Sequence, residues 1–227
     1  MLDFVIGTNA VSDVTIGTIY SVWRLFTGQH RFFWDIRSVG GTARTRNVMA
    51  TQFLQRNLAP YLLFVDRDII FTPEDMNLLL NDLKDYDLIA GCYAVRGASQ
   101  LTSFGLGKGT INLNGEKQEV KWLATGFSGM TRKLLQDMVD KLHLPLMNKG
   151  QDVESYPFFE DYRYNDPDMG SMFLTEDYAF CLKARKIGVK SYLDTRIQVR
   201  HIGERAWDVS DVVAFQAKEK LVAHGNP

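Results

Sequence analysis

A three-layer α/β domain, with a mixed but mostly parallel central sheet and a small antiparallel insertion, is the fold class that this 227-residue sequence predicts. Three observations predict it. The run Leu62-Leu63-Phe64-Val65 has no polar alternation, as expected of a strand covered by helices on both faces. The first half of the chain alternates strand-like with helix-like periods, the pattern of a parallel sheet with crossover helices. In the second half the Asn114-Gly115 pair sits between two short strand-like runs, which marks an antiparallel hairpin.

Leu2 to Gly7 reads as the first buried strand, and "TIGTIYSVWRLF" then places Ile16, Ile19, Tyr20 and Trp23 at helical spacing. "HRFFWDIR" supplies a second strand, Gly40 and Gly41 break it, and "TARTRNVMATQFLQRN" follows as a helix with arginines near its start. After the Tyr61 to Val65 strand, Thr72 caps a helix, Pro73 suits its first position and Asp75 completes a capping box, carrying the helix to about Leu83. "YDLIAGCYAV" is another strand. From Gly97 the pattern changes to the insertion. "TRKLLQDMVDKL" is a helix capped by Thr131, and residues 148–171 are polar, aromatic and turn-rich, a long functional loop. "TEDYAFCLKARKIG" is a helix capped by Thr175 and stopped by Gly188, and "VKSYLD" and "IQVRHIG" are strands. With no repeat, low-complexity tract or linker, residues 1–227 form one domain.

Composition narrows the function classes. The chain is 45% hydrophobic and 23% charged, ordinary for a globular protein, and its net charge of -1 gives no bulk attraction to nucleic acid or an anionic membrane. Cys92 and Cys181 lie in apolar contexts without metal-ligand spacing, which points to a reducing, cytoplasmic setting, although two cysteines also suffice for one disulfide. No stretch approaches the roughly 20 apolar residues of a membrane span. "MLDFVIGTNA", with an acid at position 3, is too short an apolar run for a signal peptide.

The chemistry-bearing residues cluster at element ends. Asp66 and Asp68 follow the buried strand, where ligands of open α/β sheets bind. Residues two apart in an extended chain point the same way, so both carboxylates face one partner while Arg67 turns aside. A hard divalent cation removes their repulsion, and Mg²⁺ takes one or two protein carboxylates plus substrate phosphates. Acids at such positions also cap turns and helices. Glu176 and Asp177 open a helix, where the dipole favours acids, and a carboxylate there can also accept a proton from a ligand. His201, near the end of a late strand, is either a hydrogen-bonded structural residue or a ligand. Arg44, Arg46 and Asn47 follow the double glycine, as a solvated basic face or as contacts to a phosphate or nucleotide edge.

Taken together, "VIGT", "ARTRN", "LLFVDRDIIFTPE", "LATGFSGMTRKLL" and "LTEDYAFCLKARKIGVKSYLDTRIQVRHIG" resemble a GT-A glycosyltransferase of the family 2 type over nearly the whole chain. The resemblance implies a GT-A, Rossmann-like fold, with residues 1–95 as the nucleotide-binding half and 96–227 as the acceptor and catalytic half. It implies Mn²⁺ or Mg²⁺ held by Asp66, Asp68 and His201 against a nucleotide-diphosphate sugar, UDP-sugar favoured. It places Thr8, Arg44, Arg46, Asn47, Asp66, Arg67 and Gly126 around that donor, with Thr125 beside Gly126. Asp177 becomes the general base for a hydroxyl acceptor, with inversion; an acid attacking the sugar itself would instead retain configuration. Asp161, Asp166 and Asp168 are the reserve bases. Apart from the resemblance, the rings of Tyr156, Phe158, Phe159, Tyr162 and Tyr164 in the long loop either close over donor and acceptor, since aromatic faces suit sugar rings, or pack the loop to the core. The first strand departs from the pattern, with Gly-Thr-Asn where many relatives carry a Pro-x-Tyr or Pro-x-Phe turn. Two other classes share parts of it. A phosphatase of the Asp-x-Asp-x-Thr type also sets two acids after a strand, but Ile70 stands at its threonine position. A sugar-nucleotide or glycan-binding module would keep the fold without turnover.

Overall fold

The computed structural model describes residues 1–96, 100–106, 110–167, 170–203, 206–210 and 212–213. Along the chain run Phe4–Asn9 (β1), Ile16–Leu25 (α1), Phe32–Arg37 (β2), Thr42–Arg56 (α2), Tyr61–Val65 (β3), Ile69–Ile70 (β4), Pro73–Asp82 (α3), Leu88–Cys92 (β5) and Phe104–Gly105 (β6). Lys117–Trp122 (β7), Phe127–Thr131 (β8), Arg132–Leu142 (α4), Tyr162–Asp166 (β9), Gly170–Leu174 (β10), Glu176–Lys186 (α5), Ser191–Gln198 (β11), Arg200–Ile202 (β12) and Ala206–Trp207 (β13) complete it.

The central sheet has 8 strands in the order β2-β1-β3-β8-β5-β11-β7-β6. All run in one direction except β8 and β7, which pair antiparallel with their neighbours. Strand alternation splits the core in two. Val5, Leu62 and Phe64 face α2, α4 and α5, and Phe4, Ile6, Leu63 and Val65 face α1 and α3. This is the expected three-layer α/β architecture with a mixed central sheet. The two halves of the chain share one sheet: β8, from the second half, lies between β3 and β5, both from the first.

Local chemistry explains most boundaries. Thr72 and Asp75 form the anticipated capping box on α3, with Pro73 in its first turn, and Thr131 accepts from the Leu134 amide to cap α4. Thr175 flanks α5 without a side-chain cap bond, so that end is left to Glu176 and Asp177.

The expected first helix is present as α1, and its stripe Ile16, Ile19, Tyr20 and Trp23 faces outward, because α1 seats Thr18, Ser21, Val22 and Leu25 on the sheet. Three expectations need correction. The Asn114-Gly115 turn is present, with Gly115 at φ 80°, but among the described residues no strand runs directly into it, the preceding strand being the short β6 at Phe104–Gly105. There the Gln118 side chain accepts from the Asn112 amide at 3.0 Å and β7 finds its strand partners in β6 and β11. The 148–171 loop carries a hairpin, β9 with the start of β10. "SYLD" and "IQ" of the two expected strands merge into β11, whose register on β5 shifts between Asp194 and Gln198. Cys92 and Cys181 are free and buried, so they do not form a disulfide. No described helix is long and apolar enough to cross a membrane.

Candidate functional site

The carboxyl ends of β1, β3 and β5 and the amino end of β8 meet at one edge of the sheet. Arg46 of α2 is 2% exposed there, with its guanidinium 5.6 Å from the Phe64 ring centroid and 5.9 Å from that of Phe159. It donates to Asp66 Oδ1 at 2.8 Å, to Glu176 Oε1 at 3.3 Å and to Asp177 Oδ1. Burial alone would lower the pKa of Arg46, but the charges of Asp177, Asp66 and Glu176 raise it above its ordinary value. Burial pushes the Glu176 carboxyl up, and the Asp177 charge adds to that shift. Asp177 is further held by the Thr125 amide at 3.1 Å and by the Thr125 hydroxyl. One cation thus gathers acids from β3's end and from the first turn of α5.

Gly126 is a spacer in this cluster. A Cβ there would stand 2.5 Å from Tyr93 Oη and 2.8 Å from Asp66 Oδ2, so only glycine permits the approach. Its amide donates to Tyr93 Oη at 2.8 Å. The Tyr93 ring meets His201 edge-on, with centroids 5.4 Å apart. Tyr93 therefore joins the Arg46 cluster to a second one.

That second cluster is Asp68 with His201. The short β4 pairs antiparallel with β12, setting His201 opposite Ile69. His201 Nε2 thereby lies 3.5 Å from Asp68 Oδ1, while Arg96 reaches Asp68 Oδ2 at 3.1 Å. Burial would raise the Asp68 pKa, but its bond to His201 and the charges of His201, Arg96 and Arg67 hold it below the usual carboxylate range. His201 Nδ1 lies 3.0 Å from the Ala94 carbonyl, which can only accept, so Nδ1 carries the hydrogen. In the neutral ring Nε2 then turns a lone pair toward a carboxylate oxygen, and such a pair calls for a proton or a metal ion between them.

Of the three expected metal ligands the structure brings two together. Asp66 is turned to Arg46, and among the described residues no group of three or more His, Cys, Asp or Glu is arranged to hold a metal.

Other expected contacts have different partners. The Thr8 hydroxyl is buried and accepts from Trp34 Nε1 at 2.9 Å, so it fixes the sheet edge. Asn47 donates to the Phe159 carbonyl at 2.8 Å and accepts its amide at 2.7 Å, so it clamps a loop with both ends of its side chain. Arg67 turns to Asp13 of the β1–α1 loop. Arg44 lines an open cavity of about 390 Å³ with Gly40, Gly41, Asp161 and Glu176. Phe158 and Phe159 are buried, the latter stacked on Phe180 at 4.5 Å, and Tyr164 meets Trp122 edge-on, so these rings pack the loop to the core. Tyr156 is half-buried against Phe158, and Tyr162 is exposed beside Lys186. Among the reserve bases, Asp166 is buried against Lys121 at 2.8 Å, Asp161 is exposed in the Arg44 cavity, and Asp168 lies outside the described residues.

Sequence reasoning missed Asn9, Tyr93 and Arg96. Asn9 donates to Thr42 Oγ1 at 3.0 Å, and its buried Oδ1 has no partner among the described residues. The signal was positional, since all three residues lie at or just past the carboxyl ends of central strands.

No protein-family model matches the sequence, and no curated protein does. Among solved structures, A197 from STIV superposes with a TM-score of 0.59 at 15% identity, over 92% of this chain and 92% of that one. That likeness shows a shared fold. A glycosyltransferase involved in the glycosylation of the major capsid of PBCV-1 gives a TM-score of 0.36 at 12% identity, over 62% of this chain and 64% of that one, too loose a match to carry weight.

Proposed function

We propose that the protein is a metal-dependent glycosyltransferase, moving a sugar from a nucleotide-diphosphate donor, UDP-sugar favoured, to a hydroxyl acceptor with inversion. One observation supports this reading above the others: Asp68 and His201, remote in sequence, stand 3.5 Å apart at the same sheet edge as the Arg46-bound pair Glu176 and Asp177. A carboxylate oxygen and an imidazole nitrogen form a donor set that suits Mn²⁺ better than Mg²⁺, leaving other positions for diphosphate oxygens. When bound there, the metal ion would supply charge stabilisation to the departing diphosphate. Arg96, half-exposed beside Asp68, is placed to exchange that carboxylate for a phosphate oxygen. As the acceptor oxygen bonds to the anomeric carbon, the bond to the diphosphate breaks and its electron pair leaves with the diphosphate. Asp177 takes the acceptor proton. Arg46 and Thr125 hold that carboxylate in place, and Arg44 and Asp161 line the open cavity at the neighbouring Glu176.

The test is incubation with UDP-glucose, GDP-mannose and a generic phosphate ester, with and without Mn²⁺. Slow, Mn²⁺-dependent release of nucleoside diphosphate is expected. Release of phosphate from the ester would indicate a phosphatase instead, and donor binding without turnover a binding module. Asp68→Asn is expected to weaken Mn²⁺ binding at least about tenfold by calorimetry, with the circular dichroism spectrum unchanged, since it removes a charged ligand but keeps the shape. Equal affinity in wild type and variant would remove Asp68 from the metal site.

A further inference from the structure

Helix α1 turns its large side chains away from the protein. The side against the sheet is mostly small: Gly17, Thr18 and Ser21, with Val22 and Leu25. A Cβ on Gly17 would stand 2.8 Å from the Ile70 side chain, so the helix lies close upon β4. The Thr18 hydroxyl lies 2.9 Å from both the Arg67 and Ile69 carbonyls, which fixes this orientation by polar contacts as well. Rotating the stripe inward would lose those contacts and clash. Ile16 is consequently 85% exposed, Tyr20 57%, Trp23 56% and Ile19 45%, with Phe26 beyond them at 62%. Single exposed apolar residues need no explanation, but a continuous ridge of this kind does.

The geometry points to a second copy of this chain as the occupant: we propose that α1 is the two-fold interface of a homodimer. Positions 16, 19, 20 and 23 follow the i, i+3, i+4, i+7 spacing of a helix-packing seam. Reversing the helix about the midpoint between Ile19 and Tyr20 maps that set onto itself. An antiparallel second copy therefore sets Ile16 against the partner's Trp23 and Ile19 against the partner's Tyr20, twice over, as a self-complementary contact demands. Charge agrees with the reversal. Arg24 lies in the last turn and no acid lies in the first, while Asp13 just before the helix is paired with Arg67 of its own chain yet keeps 67% side-chain exposure, so the reversal brings each Arg24 near a carboxylate of the partner that can accept a second cation. Large side chains carry roughly 150–250 Å² each, so five of them about half exposed present on the order of 500 Å². With a polar rim this approaches the ~800 Å² per partner of a standard interface. A lipid surface would not require the reversal match, and one cation on α1 in a chain of net charge -1 gives an anionic membrane little to attract.

This proposal is independent of the transfer reaction. Sedimentation equilibrium of the full chain at micromolar concentration is expected to give the mass of two 25.9 kDa chains, and Trp23→Glu the mass of one. A single-chain mass for the wild type overturns the proposal, and its co-flotation with neutral phosphatidylcholine vesicles would then assign the ridge to lipid. Persistence of the dimer in Trp23→Glu overturns the interface. Orientation is read by cysteine pairs, since both native cysteines are buried. The double variant Ile16→Cys, Trp23→Cys is expected to crosslink between chains under mild oxidation while neither single variant does. Equal crosslinking of singles and double overturns the antiparallel arrangement.

Discussion

Arg46→Met is expected to lower unfolding stability by about 3–5 kcal/mol, the usual cost of removing one partner from a buried charge cluster. The guanidinium is the shared counter-charge of Asp66, Glu176 and Asp177, whose side chains retain 32%, 21% and 17% of their exposure. Those openings let the orphaned acids turn partly to water, which favours the lower end of the range. Methionine fills the space between Phe64 and Phe159, so the loss reports charge and not a cavity. Urea denaturation should show a lower midpoint at unchanged slope. The deficit should narrow in acid. Glu176 already has a raised pKa, from burial and the Asp177 charge, and a raised folded-state pKa gives stability below the unfolded value that is lost as pH rises through the folded one. Without Arg46 that effect grows, so the two proteins should converge below about pH 5, near the ordinary glutamate range. A deficit under 1 kcal/mol, or one independent of pH, would mean that Arg46 is held by its two aromatic rings more than by its three acids.

Asp177→Asn is expected to reduce sugar transfer by about 10²-fold or more while leaving donor affinity nearly unchanged, because an amide cannot accept the acceptor proton. The amide oxygen can still receive the Thr125 amide or the Arg46 guanidinium, and Arg46 keeps Asp66 and Glu176, so the local geometry has other supports. The measurement separates turnover from binding: kcat should fall and calorimetric donor affinity should not. Near-normal kcat would shift the base role to Asp161, the exposed acid in the cavity that Arg44 lines. Glu176→Gln is the control, and its effect should be the smaller.

Much of the frame was legible because it rests on local rules. The unbroken apolar run at β3 marked a central strand, and Thr72 with Asp75 and Thr131 marked helix starts through capping that needs only neighbouring residues. The acids after β3 and those opening α5 were found by position. Their partners were not. Arg46 meets Asp177 across 131 positions, and no local period records such a contact. A phosphate-facing Arg46 and a carboxylate-binding one read alike in sequence, as do an Asn47 facing a nucleotide and one clamped to Phe159. The α1 stripe marked its helix but not the direction it faces. Periodicity identifies an apolar face but not what covers it, and the tight approach allowed by Gly17 assigned the sheet to the small residues instead.

The reversed strand β8 has a consequence for how the chain can be cut. Strand β5 pairs only with β8 and β11, both encoded after residue 95, whereas β1, β2 and β3 pair among themselves. A nascent chain ending near residue 95 would hold a three-stranded ribbon with β3 open along one edge and β5 without a partner. Both are apolar strands, and open apolar edges recruit other chains. Expression of the first 95 residues alone should therefore give an aggregating fragment and not a small nucleotide-binding domain, and the long-range pairing of β8 makes closure of the sheet wait for the second half of synthesis.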